Sequence, residues 1–305
     1  MSARQRLSLV IPVLDDRKDI ASTHRLYVES LEPAGVDLEP IYVIDGDKPR
    51  AMDELRRLRD SAHAPVILHL PQADGEATAL SVGFRHATGD LVMTLPDHPQ
   101  VVGEELRTLL AALDDADMVI ANRQAPERPE DRKFEQTVRF LLGSHFKDLR
   151  SGVRVMRKAV TEEIVLYGDQ HNFLPLVAET HGFRVKELPL RALASQRRPI
   201  GIGGKPSLLL DVLAAFFLIR FVRRPFRFFG GIGLGVLAVG GVITAYLVFA
   251  RLFLGIGLLD RPALVLSTLM VVLGIQIISV GLIGEIITFA YTRDHKDYRV
   301  ARVID

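Results

Sequence analysis

The chain has 305 residues, with 38 Lys+Arg against 37 Asp+Glu for a formal charge of +1, and it contains no cysteine. So even a balance argues against a general nucleic-acid binder. The missing thiols exclude disulfide frameworks, Cys-ligated zinc, iron–sulfur clusters and thiol catalysis. The polar Met1–Arg6 segment leads directly into a strand-like run without a signal-peptide core, so the chain is expected to begin in the cytoplasm.

The first two-thirds alternates strand and helix. Leu7–Val13 (LSLVIPV) is a β-branched run with the pattern of a buried parallel strand; Asp19–Leu31 is helical, and Pro40–Ile44 is the next strand. Asp53–Ser61 reads as a charged helix, Pro65–Leu70 as a strand, and Ala77–Ala87 as a helix opening at Gly75. Asp90–Leu95 is a fourth strand, Glu104–Leu113 a helix and Met118–Ala121 a fifth strand. Further on, Phe134–Phe146, Ala159–Tyr167 and Asn172–Thr180 are expected as helices, and Gly152–Met156 and Val185–Leu190 as strands. This alternation predicts an α/β, mostly parallel sheet covered on both faces. Ligands of such sheets bind beyond the carboxyl ends of the strands, which singles out Asp15, Asp16, Asp45, Asp47, Asp74, Asp97 and His98. Arg191–Pro206 carries Arg191, Arg197, Arg198 and Lys205 among glycines and prolines and reads as a basic loop.

The last third is different. Phe228–Ala250 and Pro262–Gly284 carry no charged residue. As helices rising about 1.5 Å per residue, each is long enough for a hydrocarbon core of roughly 30 Å. Gly230, Gly231, Gly233, Gly235, Gly240 and Gly241 suit close helix–helix contact in lipid. Arg220, Arg223, Arg224 and Arg227 precede the first run and Arg293, Lys296 and Arg299 follow the second, which by the positive-inside rule places both termini in the cytoplasm. The four arginines before the first run fit attraction to anionic lipid, with Pro225 interrupting their helical stripe. The expected organisation is a cytoplasmic domain over 1–205, a basic juxtamembrane helix over 206–227, two transmembrane helices within 228–292 (about 228–250 and 262–290), and a cytoplasmic tail over 293–305. That is a multi-pass inner-membrane protein.

Several motifs occur in a recognisable order: IPVLDD at Ile11–Asp16, VIDGD at Val43–Asp47, DGEATALSVGFRHATGD at Asp74–Asp90, DLRSGVRVMRK at Asp148–Lys158, GFRVKELPL at Gly182–Leu190, and GLIGEI at Gly281–Ile286 with the late Tyr298. With them the chain resembles the family 2, GT-A-fold glycosyltransferases, especially the membrane-anchored, dolichyl-phosphate-mannosyltransferase-like enzymes that use polyprenyl phosphate. The resemblance implies a Rossmann-like GT-A domain followed by a two-helix transmembrane hairpin. It further implies inverting transfer of a sugar from a nucleotide sugar to a polyprenyl phosphate at the cytoplasmic membrane face, with membrane lipid as surroundings and possible homo-oligomers. One departure stands out. The family's Asp-x-Asp metal site, aligned through Gln100, is replaced by Pro96 and His98 with Asp97 between them, and Ile44 replaces the first Asp of the family's Asp-Asp-Gly.

A nucleoside diphosphate leaving group gathers negative charge, which a divalent ion, cationic side chains or backbone donors must meet. Asp97, His98 and Gln100 offer a mixed oxygen and imidazole shell for Mg2+ or Mn2+, better suited to Mn2+; the plainer alternative makes Asp97 a turn cap and His98 surface. By resemblance Pro12, Leu14, Asp16 and Asp45 contact the nucleotide, and Asp74–Gly75 at a helix start favours the donor's phosphates. Asp148 stands where the family often has an active-site acid. It is either a general base, a positioning group, or the partner of Arg123 or Arg150 in a salt bridge. Asp148, Arg123 and Asp97 are the catalytic candidates; Arg197, Arg198 and Lys205 suit the acceptor phosphate. Two other readings remain: a GT-A-like membrane protein that has lost turnover, motivated by the altered Asp-x-Asp, and a transferase with another acceptor. A Rossmann dehydrogenase and a serine hydrolase both lack their Gly-rich signatures.

Overall fold

The structure, a computed structural model, describes residues 5–16, 19–124, 144–149, 151–164, 168–193, 225–254 and 262–292. The chain divides into two compact units, Met1–Ala215 and Phe216–Asp305.

The first unit is built on a seven-stranded sheet in the order β3-β2-β1-β4-β6-β5-β7. Its strands are β1 (Arg6–Val13), β2 (Asp37–Asp45), β3 (Val66–Leu70), β4 (Leu91–Thr94), β5 (Met118–Gln124), β6 (Arg154–Arg157) and β7 (Val185–Arg191). β1 pairs in parallel with both β2 and β4, and β2 with β3; β6 is antiparallel to β4 and β5, while β5 and β7 are parallel. The sheet is thus mixed, with β6 reversed, and the carboxyl ends of β1 to β4 open on one edge. Side chains alternate across it: Leu7, Leu9, Ile11 and Val13 of β1 join Leu91, Met93 and Leu95 in one core. Helices α1 (Ile20–Leu31) and α4 (Gly103–Ala111) contribute Ile20, Tyr27, Leu31, Leu106 and Leu109 to that core. On the other face α3 (Glu76–His86) lies so close that a Cβ at Gly83 would overlap Val10 Cγ1.

Most elements match the alternation in the sequence, and the differences have local causes. α2 spans Pro49–Arg57 rather than Asp53–Ser61, because Pro49 is preorganised for the first turn and needs no N–H there. α5 (Lys158–Glu163) is shorter than Ala159–Tyr167, whose last three residues lie outside the described residues. The helix expected from Asn172 begins as a 3-10 turn, Gly168–Phe173, and α6 starts at Leu174 with Pro175 in its first turn. Of the helix expected at Phe134–Phe146, residues 134–143 lie outside the described residues and Ser144–Phe146 is irregular.

The second unit contains α7 (Pro225–Leu254) and α8 (Pro262–Thr292). Their most apolar stretches have mean hydropathy 2.2 and 2.4 and are only 17% and 11% buried, unlike helices of a soluble core. Pro225 is the first described residue of α7, and the basic helix expected before it, with Arg220, Arg223 and Arg224, lies outside the described residues. The glycines divide sharply. A Cβ at Gly233 would meet Gly274 O at 2.8 Å, and one at Gly240 would meet Ser267 O at 2.9 Å, whereas Gly231, Gly235 and Gly241 face open space. Glu285 of α8 accepts the Phe226 N–H at 3.2 Å, satisfying one of the free donors at the start of α7.

Candidate active site

At the end of β2 the chain turns at Gly46, whose φ is +77° and whose Cβ position would lie 3.2 Å from Ala73 Cβ, so glycine is needed on both counts. The turn leaves the Asp45 carboxylate 5% exposed. Its Oδ1 accepts the Asp74 N–H at 2.8 Å and its Oδ2 the Gly75 N–H at 3.1 Å. Asp45 therefore caps the approach to α3, and the two amides expected to meet donor phosphate are occupied by it. Lys48 Nζ donates to Asp45 O at 2.7 Å, and Asp16 Oδ1 accepts the Ala51 N–H at 2.9 Å in the first turn of α2. Asp16 follows β1, Asp45 ends β2, and Asp74 and Gly75 follow β3, while Pro12 lies within β1 and Leu14 directly after it.

A second group lies beyond β4. Asp97 and His98 are 3% and 5% exposed. Asp97 Oδ2 accepts the Leu14 N–H at 3.2 Å, which ties the loop after β1 to the loop after β4. Asp97 Oδ1 lies 2.7 Å from His98 Nδ1. An ionised carboxylate only accepts, so Nδ1 carries the proton and a neutral ring presents its lone pair on Nε2. That Nε2 is buried and has no hydrogen-bond partner among the described residues. The Tyr27 hydroxyl donates to Pro96 O at 2.9 Å and steadies the same loop; burial pushes this phenol well above its usual pKa, so it stays a donor.

Arg123, on β5, joins the group from the far side. Its Nε and Nη2 donate to Asp148 Oδ2 and Oδ1 at 2.7 and 2.8 Å, a two-pronged pair, and its backbone N–H also donates to Oδ2 at 3.1 Å. Its Nη1 donates to Gln100 Oε1 at 2.9 Å. Of the arrangements open to Asp148, the structure shows the salt bridge to Arg123. Glu187 Oε1 fixes the Asp148 loop by accepting the N–H groups of Lys147 and Asp148, both at 2.8 Å. Glu187, Tyr27 and the buried Arg154 were not singled out from the sequence, although Glu187 and Arg154 lie inside the GFRVKELPL and DLRSGVRVMRK motifs. Arg197, Arg198 and Lys205 lie outside the described residues.

For a divalent ion the donor set is lean. Both Asp97 oxygens and Gln100 Oε1 already accept hydrogen bonds, and no cluster of three or more metal-binding His, Asp or Glu side chains occurs among the described residues. Of these three side chains, His98 Nε2 is the buried donor atom without a hydrogen-bond partner among the described residues. The residues fit an ion that takes one imidazole nitrogen from the protein and its other ligands from phosphate oxygens and water, with Asp97 orienting the ring from behind.

Among known proteins, a dodecaprenyl-phosphate galacturonate synthase of Rhizobium johnstonii is 24% identical over 98% of this chain and 93% of its own length. An undecaprenyl-phosphate 4-deoxy-4-formamido-L-arabinose transferase of Enterobacter sp. is 25% identical over 100% of this chain and 95% of its own. Among solved structures, glucosyl-3-phosphoglycerate synthase of Mycobacterium tuberculosis with phosphoglyceric acid superposes with a TM-score of 0.53 at 16% identity, covering 70% of this chain and 80% of that one. The same synthase with Mn2+ and UDP-glucose gives 0.53 at 15% identity, over 70% and 79%. These structures share the GT-A fold. The profile of Glycosyl transferase family 2 matches residues 8–165, more than half of the chain, and the protein belongs to that family of glycosyltransferases.

Proposed function

We propose that the protein moves a single sugar from a nucleotide-sugar donor to a polyprenyl phosphate, with inversion at the sugar carbon, on the cytoplasmic face of the inner membrane. The supporting observation is that its likeness to two polyprenyl-phosphate sugar transferases runs through at least 98% of the chain, apolar helices included. In this reading both apolar helices cross the membrane, and the flanking cations favour both termini on the cytoplasmic side. The tether confines the catalytic unit to the membrane that holds its acceptor.

In this reading Pro12, Leu14, Asp16 and Asp45 receive the nucleotide, with Asp74 and Gly75 shaping the loop beside it. An ionised phosphate oxygen of the acceptor attacks the sugar carbon from the face opposite the leaving group. The bond from that carbon to the diphosphate oxygen breaks, and its electron pair leaves with the nucleoside diphosphate. Because the attacking oxygen carries no proton, no general base is required. This agrees with an Asp148 whose two oxygens are engaged by Arg123. Arg123 meets the charge that grows on the leaving group, whereas the Asp97–His98 pair, a carboxylate with a neutral ring, serves that charge only through a bound cation. A Mn2+ or Mg2+ ion held at His98 Nε2 would add Lewis-acid stabilisation of that group, with Asp97 and Gln100 orienting rather than binding it. Arg197, Arg198 and Lys205 receive the acceptor phosphate.

The replacement of both family aspartates by Pro96 and His98 favours one competing reading, a nucleotide-binding membrane protein without turnover. The experiment is to incubate the full chain in detergent with a panel of nucleotide sugars and undecaprenyl phosphate, with Mn2+, with Mg2+ or with chelator. Formation of a glycolipid by one donor is the expected result. Binding of a nucleoside diphosphate without transfer of any sugar selects the competing reading.

A further inference from the structure

Arg154, the first residue of β6, is a buried charge to which the proposed reaction gives no task. Its residue is 2% exposed, and no ion pair to it occurs among the described residues. Nη1 donates to His171 O at 2.6 Å and Nη2 to Leu149 O at 3.0 Å, while Nε has no partner among the described residues. Burial pulls its pKa down to about 10, against the through-space pull of Glu76 and Asp148, so it remains charged near neutrality. Burying a guanidinium with no carboxylate in contact is unfavourable, and an apolar side chain would pack there more readily. A charge retained at that cost should hold something in place.

What it holds are two loops of separate origin. Leu149 directly follows Asp148, whose carboxylate is clasped by Arg123. His171 lies in the 3-10 turn Gly168–Phe173, and its ring Nε2 is 3.5 Å from Glu76 Oε2. Glu76 is the first residue of α3, immediately after the Gly75 amide that Asp45 holds. In the sheet Arg154 is paired with Thr94, two residues before the Pro96–His98 loop.

We infer that Arg154 is a positioning residue: its fork locks the Asp148 loop to the Gly168–Phe173 turn, and through Glu76 it keeps Asp148 in register with the donor-side loop. A planar guanidinium reaches two carbonyls in fixed directions, which a lysine ammonium on a flexible stem does not. The catalytic consequence rests on the transferase reading above; the mechanical one does not.

The test uses the full chain in detergent, as wild type, Arg154→Lys and Arg154→Met, followed by amide hydrogen exchange and steady-state kinetics. In Arg154→Lys, the segments Lys147–Leu149 and Gly168–Phe173 should lose protection together, by roughly tenfold, while β1 and β2 keep theirs. kcat should fall about 10–100-fold with the donor KM within about twofold, as expected for a displaced group rather than lost binding. Wild-type protection of both segments in Arg154→Lys overturns the inference, as does loosening of one alone or a kcat loss that only tracks the folded fraction. If Arg154→Met does not fold, the Lys variant decides. If the wild type transfers no sugar, the functional reading falls while the exchange data still decide whether the two loops are coupled.

Discussion

Arg123 clasps Asp148 through two parallel hydrogen bonds, with the two side chains 11% and 6% exposed, and the same guanidinium holds Gln100. Breaking so buried a pair from one side strands the other charge. Asp148→Ala should therefore destabilise the domain by about 3–5 kcal/mol. Arg123→Met combined with Asp148→Leu should cost less than the sum of the two single changes. Denaturant unfolding of the four proteins measures the coupling. Additive losses would show that the two side chains act independently.

Asp45 works as a strut between β2 and the start of α3, accepting the amides of Asp74 and Gly75. Asp45→Ala removes both acceptors and leaves the loop to find its own geometry. Each lost charge-assisted bond is worth about 1.5–3 kcal/mol, so nucleoside diphosphate affinity should drop at least about tenfold. Isothermal titration with the diphosphate reads this without needing turnover. An unchanged affinity would mean that the loop does not shape the donor site.

The strand-end carboxylates were legible in the sequence because a parallel sheet delivers the residue after each strand to one edge, and Asp16, Asp45 and Asp97 gather there. The partners they chose were not legible. Asp97 spends one oxygen on Leu14, eighty-three residues away, and Asp45 spends both on a loop twenty-nine and thirty residues on. Periodicity fixes which side of a strand a residue faces but not which loop folds back to meet it. Arg154 shows the same limit. In the sequence it is one cation in a β-branched run, and only the register of β6 against β4 makes it a buried one. The apolar helices were the easiest part, since length and absence of charge suffice, yet which of their glycines touch depended on the rotation of one helix about the other.

The orphaned Nε2 of His98 sets an expectation for metal. Mn2+ should raise the melting temperature of the nucleoside-diphosphate complex more than Mg2+ does, because an imidazole ligand suits Mn2+ better. His98→Ala should abolish the Mn2+-dependent part of that shift. His98→Asp, which restores an oxygen ligand, should narrow the gap between the two ions. Equal Mn2+ and Mg2+ shifts in the wild type, unaltered in His98→Ala, would place the ion elsewhere.

Glu39 governs part of the acid response. Burial raises its pKa, but hydrogen bonds from Ser8 and from the Thr88 amide and hydroxyl outweigh that and leave it below the ordinary 4.5. Between the folded value and 4.5 the unfolded chain binds more protons, so the contribution is present above 4.5 and is lost as pH falls through the folded value. Glu39→Gln should flatten the fall in melting temperature below that pH while lowering stability near neutrality. Parallel acid limbs for the two proteins would assign the acid sensitivity to other groups.

In the apolar unit, close contact between α7 and α8 occurs at glycines two turns apart, Gly233 against Gly274 and Gly240 against Ser267 and Met270, and again where Gly281 meets Phe229. A Cβ at Gly240 would lie 2.8 Å from Met270 Cβ, and one at Gly274 would lie 2.7 Å from the Leu237 amide nitrogen. Backbone stands on the far side of these contacts, so the helices must separate to admit a side chain. Gly240→Leu should thus cost about 1–3 kcal/mol of hairpin stability. Gly235→Leu, which points into open space, should be close to neutral even though it changes the hydropathy by the same amount. Comparing the two variants in detergent by thermal stability isolates packing from hydrophobicity, because lipid tails solvate a leucine as well as a neighbouring helix does. Equal behaviour of the two variants would show that the hairpin is held by its apolar character alone and not by the close approach of its backbones.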